Sequence, residues 1–262
     1  MHVARGLADL PPSAAPVFVV VGVFDGLHLG HAYLLEHLSG EARARGARPV
    51  VITFDHHPDE ILTGSAPPLL CDPDERLERL AAAGVDTTVV VHFDQALRET
   101  TYDAFAGMIE ARAPLAGLLM TPDAAFGYRR EGTPQTLAAL GAERGFEVVV
   151  VPPFELDGRP VRSTEVRQAI AAGDLAAAAR LLGRAHSVVG QAVDRASGPG
   201  SLMRFPLPVA LPPDGRYPVA VGPVHAGATD EAVIEGGSVR LARTLPAPWV
   251  RVAFTTDGGE TT

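Results

Sequence analysis

Apolar and polar positions change period along the chain, and the changes predict its elements. Five short, β-branched runs recur in the first 151 residues: FVVVGVF (18–24), PVVITF (49–54), TTVVVHF (87–93), LAGLLM (115–120) and FEVVVV (146–151). Each is continuous rather than alternating, so each predicts a strand buried on both faces. Helical segments fall between them. In CDPDERLERLAAAG (71–84), Asp72 is placed as N-cap, Pro73 at the first helical position, Glu75 as capping-box partner and Gly84 as stop. GTPQTLAALGAERG (132–145) repeats the arrangement with Thr133, Pro134 and Gly145. Strands alternating with helices predict an α/β fold, a doubly wound parallel sheet with helices on both faces. Ligands of such sheets sit beyond the carboxyl ends of the strands. Four segments then share one edge: residues 22–31, DHHP (55–58), TPDAAFGYRREG (121–132) and PPFELDGRPVRSTEVRQAI (152–170).

Two short helices follow, STEVRQAIAAGD and DLAAAARLLGR, and from about residue 187 the helical period disappears. HSVVGQAV, RYPVAVG, EAVIEG, SVRLAR and WVRVAFTT read as strands broken by Pro and Gly turns, which predicts a smaller all-β domain, a barrel or a sandwich. The expected division is 1–186, 187–256 and a frayed tail at 257–262.

Composition narrows the function classes. Of the 262 residues, 47% are hydrophobic and 20% charged, the balance of a folded globular protein. A single cysteine, Cys71, leaves no intramolecular disulfide and no CxxC motif. The N-terminus lacks a signal-peptide core, and no run approaches the roughly 18 apolar residues of a membrane span. A cytoplasmic protein is expected. The net charge of −9 argues against nucleic-acid and anionic-membrane partners. All 22 basic residues are arginine, so phosphate chemistry here must use Arg, His and backbone donors.

The segment GVFDGLHLGH (22–31) follows the first strand run and leads into a helix. Its glycines permit a tight corner, and the helix N-terminus turns free N–H groups and a positive dipole end toward the crevice. That makes an anion site to which His28 and His31 add two donors able to meet charge on a phosphoryl group. Packed imidazoles are the plain alternative. A zinc site from His28, His31, His56 and His57 has neither Cys nor HExxH support, and no protein-held metal is expected.

GVFDGLHLGH resembles the signature of the HxGH nucleotidyltransferases, whose fold is Rossmann-like. ITFDHHPDEIL, PDAAFGYRREG and VRSTEVRQAIAAGDLAAAARLLGR resemble, in order and spacing over residues 17–184, segments of the FMN adenylyltransferase module of bacterial bifunctional FAD synthetases. The resemblance implies attack of the FMN phosphate on the α-phosphorus of MgATP, giving FAD and pyrophosphate. ATP and FMN would be the partners, with Mg2+ carried by ATP.

On that resemblance His28 and His31 stabilise the transition state, and Gly22, Phe24, Asp25 and Gly26 shape the nucleotide pocket. Ser163, Thr164 and Arg167 hold the β and γ phosphates. His57, Pro58, Asp123, Phe126 and Gly127 line the flavin side. Plainer readings remain: Phe126 as core packing, Arg167 as a surface charge, Ser163 as an N-cap. Departures are Val23 in place of Asn, His56 in place of proline and Arg162 in place of the first serine, which leaves the acceptor open to another phosphate monoester or flavin analogue. A non-catalytic flavin or nucleotide sensor is the reading from another class.

The second domain is similar in position to the family's riboflavin kinase. In RFPLPVALPPDG, however, Leu207, Pro208 and Val209 stand where that family has threonine, alanine and asparagine, and no stretch matches its later glutamate segment. A Leu and a Val offer no oxygen to a hard cation. A shortened remnant without kinase activity is expected, kept for packing, weak self-association or a protein partner.

Overall fold

The computed structural model describes residues 1–194, 200–222, 228–245 and 249–255. The expected tail lies outside them. The chain packs as two compact units. The first is built from residues 1–24, 30–67 and 73–155, and the second from 25–29, 68–72 and the described residues from 156 onward. The hydrophobic pattern changes at 187, whereas the units part at Leu156, because the helices after that residue pack with the two short early stretches.

In the first unit β1 (His2–Ala4), β2 (Val17–Val21), β3 (Arg48–Phe54), β4 (Thr87–Val91), β5 (Leu115–Met120) and β6 (Glu147–Val150) form one sheet. Their spatial order is β1-β4-β3-β2-β5-β6, and every pairing is parallel. The connections carry α1 (Leu29–Ala44), α2 (Asp59–Leu62), α3 (Pro73–Ala82), α4 (Gln95–Glu99), α5 (Tyr102–Glu110) and α6 (Pro134–Arg144). The five expected runs are β2 to β6, and β1 is an addition at the β4 edge.

Val17, Val19, Val50, Ile52 and Val89 are fully buried on the sheet and meet Phe105, Ile109, Leu118 and Leu137. Each such side chain contributes about 1.5–3 kcal/mol relative to exposure. α6 starts as its sequence indicates: Thr133 accepts from the Thr136 N–H while the Thr136 side chain answers the Thr133 N–H. From β2 the chain moves outward through β3 to β4, then returns to place β5 on the other side of β2. Strand order therefore reverses between β2 and β5, where a parallel sheet opens a crevice at its carboxyl edge.

In the second unit a short ribbon, β7 (Glu155–Leu156) with β8 (Arg159–Pro160), precedes α7 (Ser163–Ala171) and α8 (Leu175–Leu182). β9 (Ser187–Asp194), β10 (Ser201–Arg204), β11 (Gly215–Gly222), β12 (Ala228–Glu235), β13 (Ser238–Leu241) and β14 (Trp249–Phe254) close into an antiparallel barrel. Closure decides between barrel and sandwich, and it leaves no open edge. Alternate residues such as Val219, Val221, Ala232, Ile234, Val250 and Val252 fill the interior. Val166, Ile170, Ala178 and Leu182 of the two helices form a separate cluster with Leu70 and Ala210.

Candidate active site

The segment after β2 does not continue as strand, although Val23 and Phe24 are apolar. Phe24, Gly26 and Leu27 all take positive φ (53°, 78° and 39°). Two non-glycine residues in that region cost on the order of 1–3 kcal/mol each, so the corner persists only because its surroundings impose it. A Cβ on Gly26 would stand 2.8 Å from the Leu70 Cβ, which restricts that position to glycine.

Asp25 is the anchor. Its buried carboxylate accepts from the Leu70 N–H (3.0 Å to each oxygen) and the Cys71 N–H (3.2 Å), and it forms an ion pair with Arg167. Arg167 also donates to the Pro68 carbonyl (2.8 Å), and the Cys71 sulfur accepts from the Gly26 N–H (3.2 Å). Arg184 donates to the Gly26 carbonyl at 2.7 Å. Arg167 was expected on the terminal phosphates of a nucleotide, but here its guanidinium is engaged with Asp25. Ser163 is not the N-cap of α7. Arg162 holds that place, without a side-chain cap, and the Ser163 hydroxyl donates to the Asp25 carbonyl at 3.3 Å. Thr164 is exposed in the first turn of the same helix.

His28 directly precedes α1, and His31 lies in its first turn. His28 is buried, and its pKa falls from 6.5 to about 4, chiefly through burial and then through the nearby charges of Arg184 and Arg167. At pH 7 its imidazole is therefore neutral, with the proton on one ring nitrogen, and a hydrogen bond to its own backbone opposes the lowering. The His31 ring packs 5.1 Å from the ring of Phe24, itself buried.

In the first unit a cavity of ≈ 810 Å³ opens where strand order reverses. Val21, Gly22 and Val23 line it from the end of β2, Leu118 to Met120 from β5, and Phe54, His57 and Pro58 from the end of β3. Gly22 and Val23 lead directly into the corner at Phe24. Phe126 lines the cavity and packs against Phe105 at 5.3 Å, so it belongs to the core as well as to the cavity wall. Gly127 has φ +77°, and a Cβ there would lie 2.6 Å from the Tyr102 nitrogen. His57 accepts from the Asp59 N–H at 3.2 Å. Asp123 is not among the lining residues, and its carboxylate accepts from the Thr121 hydroxyl at 2.8 Å.

Sequence reasoning missed four contributors. Arg98, Arg129 and Arg130 line the cavity with Asp59 as the acidic side chain among them. No motif marks Arg98, and the two consecutive arginines carried only their place in TPDAAFGYRREG. Arg76, nearly buried, donates to the carbonyls of Val23 (3.1 Å) and Phe54 (2.7 Å) and fixes the ends of two adjacent strands. Its place in CDPDERLERLAAAG marked a helix and nothing more.

Residues 10–165 match the family model described as FAD synthetase. The chain belongs to the FAD synthetase family. Over 198 residues it is 35% identical to the bifunctional riboflavin kinase/FMN adenylyltransferase of Escherichia coli (strain K12), an alignment covering 74% of this chain and 63% of that protein. To the protein of the same name from Pseudomonas fluorescens it is 33% identical over 192 residues, covering 73% of this chain and 62% of that one. The chain thus spans less than two thirds of the length of these relatives. Among solved structures, one titled macrolide-efflux protein from Streptococcus pneumoniae has a TM-score of 0.81 at 24% identity, over 97% of this chain and 88% of that one. That likeness concerns the fold. The FAD synthetase match takes in GVFDGLHLGH, DHHP and TPDAAFGYRREG and stops short of Arg167 and Arg184. Among the described residues no helix is long and apolar enough to cross a membrane.

Proposed function

We propose that the chain transfers the adenylyl group of MgATP to the phosphate of FMN, giving FAD and pyrophosphate. The observation that carries the reading is the cavity at the β2/β5 reversal: aromatic, lined by three arginines, and formed by residues that run into GVFDGLHLGH. Its volume, ≈ 810 Å³, lies within the range of small-molecule sites. Phe54, Phe93, Phe126 and Tyr128 offer apolar faces to a flat ring system, and the guanidinium groups favour an anionic substrate. Membership of the FAD synthetase family and the names of its relatives support the same reaction.

In the proposed step an oxygen of the FMN phosphate attacks the α-phosphorus of MgATP. The new P–O bond forms as the bond to the bridging oxygen breaks, and pyrophosphate leaves with its magnesium. Negative charge spread over the α-phosphoryl oxygens meets the N-terminus of α1 and the N–H groups of His28 and His31. Neutral His28 acts as a hydrogen-bond donor in the free protein, and an adjacent phosphate raises its affinity for a proton. The N-terminus of α7, with the Ser163 and Thr164 hydroxyls, receives the β and γ phosphates. Arg167 is a positioning residue that acts through Asp25 on the corner. The barrel does not phosphorylate riboflavin in this reading, since Leu207, Pro208 and Val209 replace oxygen-bearing side chains, and it serves packing or weak self-association.

Incubation with FMN, ATP and Mg2+, followed by separation of FAD from FMN, tests the main reading. FAD and pyrophosphate in equal amounts are expected, and their absence overturns it. Parallel arms with other phosphate monoesters address His56, whose ring replaces a proline beside the cavity. An arm with riboflavin in place of FMN should yield no FMN.

A further inference from the structure

The loops that follow β3 and β4 lie side by side because these strands pair in parallel, Phe54 opposite Val91. A bond from the Asp55 N–H to the Val91 carbonyl (3.1 Å) carries the register one residue past the strand. Asp55, His56 and His92 meet there, although 37 positions separate the first from the last. The His92 Nδ1 is 2.7 Å from Asp55 Oδ2, and the His56 Nδ1 is 3.2 Å from Asp55 Oδ1. The two rings stand edge to face with centroids 5.9 Å apart. Among the described residues this group brings three potential metal-ligand atoms within 4.8 Å of one another. The imidazoles are 46% and 67% exposed, so an ion reaches them without any opening of the fold.

We infer that Asp55, His56 and His92 bind a borderline divalent transition ion, for which Zn2+ is the probe. Two imidazole nitrogens and a carboxylate oxygen suit such an ion, whereas Mg2+ takes oxygen ligands and water. Ligand bonds of about 2.0–2.2 Å set the donors of a tetrahedral ion about 3.4 Å apart, so small rotations of exposed side chains complete the set, with water in the fourth position. The carboxylate is already oriented by the His56 N–H (2.8 Å) and the Phe93 N–H (3.4 Å), the outer support that metal ligands need. His56 stands where the FAD synthetase pattern has proline, which makes the site a property of this chain. Phe54, His57, Pro58 and Phe93 flank the three ligands and line the cavity. A bound ion ties the β3–α2 loop to the β4–α4 loop and stiffens that wall. None of this depends on the adenylyl-transfer reading.

Calorimetric titration of the full chain with Zn2+, in millimolar Mg2+ at pH 7.5, tests the inference. One saturable site is expected. Loss of a partner that merely orients a ligand weakens metal binding about 10–100-fold, so His56→Ala and His92→Ala should each weaken it at least tenfold. Co2+ loaded into the unaltered chain should broaden the ring-proton resonances of His56 and His92 selectively, a readout that needs no variant. No saturable uptake, uptake unchanged in both variants, or broadening confined to other histidines overturns the proposal.

Discussion

Acid should weaken the unit that holds His28, and one substitution should remove a calculable share of the effect. The imidazole is 4% exposed, and burial, reinforced by Arg184 and Arg167, lowers its pKa from 6.5 to about 4. Between those values the unfolded chain binds a proton that the folded chain refuses, so stability falls as pH falls through this window and is retained above it. At 1.36 kcal/mol per pH unit, the loss between pH 7 and pH 4.5 is about 2.5 kcal/mol. His28→Asn keeps a donor of similar size and cannot titrate. The chain has one tryptophan, Trp249, which lies on β14 in the same unit as His28, so its fluorescence reports the relevant unfolding. Urea titrations of parent and variant at the two pH values should show the parent losing about 2.5 kcal/mol more than the variant, other acid-sensitive groups cancelling in the difference. Equal losses, within the roughly 0.5 kcal/mol to which independent effects add, would refute a buried neutral His28.

Asp25→Ala leaves the Arg167 guanidinium and two buried N–H groups without their acceptor, and should cost about 3–5 kcal/mol in urea unfolding followed by Trp249 fluorescence. Gly127→Ala forces a Cβ against the Tyr102 backbone at positive φ. It should lower stability by about 1–3 kcal/mol by the change in denaturation midpoint, whereas a loss under about 0.5 kcal/mol would mean the loop moves freely. His31→Ala should reduce kcat for FAD formation by on the order of 10²–10³ with little change in the far-ultraviolet circular dichroism. Arg130→Gln should raise KM for FMN by about tenfold and leave KM for ATP near its parent value, as steady-state kinetics with each substrate varied would report.

The sheet was legible because parallel strands are continuous apolar runs: β2 to β5 are such runs and are buried, whereas β6, at the sheet edge, keeps the pattern but is partly exposed. β1 and β10 were not, since HVA and SLMR are three and four residues long and neither sits in a longer alternating stretch that would set a period. The run FVVVGVF overstated its strand by three residues. Phe24 is apolar because it is buried, and it is buried in a left-handed turn, a distinction that hydrophobicity does not carry. The glycines and histidines of GVFDGLHLGH marked the corner because residue type there reflects backbone need and local charge. The Asp25–Arg167 pair lay beyond reach, since its members are 142 positions apart and charge patterns do not name partners. The lowered pKa of His28 was equally hidden, because it comes from burial and from two arginines brought in by tertiary packing.

The second unit draws residues 25–29 and 68–72 into a body otherwise made of residues after 155. At about 5–20 residues per second, synthesis delivers Arg184 roughly 8 to 30 seconds after Gly26, whose carbonyl it holds. During that interval the corner has its bonds to Leu70 and Cys71 within reach but lacks Arg167 and Arg184, so the nascent chain can pair β2 with β3 while the histidine-bearing corner is only partly held. Ribosome-bound chains arrested before residue 160 should exchange the Leu70 and Cys71 amides freely, because their acceptor Asp25 then lacks Arg167. On the adenylyl-transfer reading, nucleotide capture would be deferred until α7 and α8 have left the ribosome, and a truncated translation product would carry the motif without its working shape.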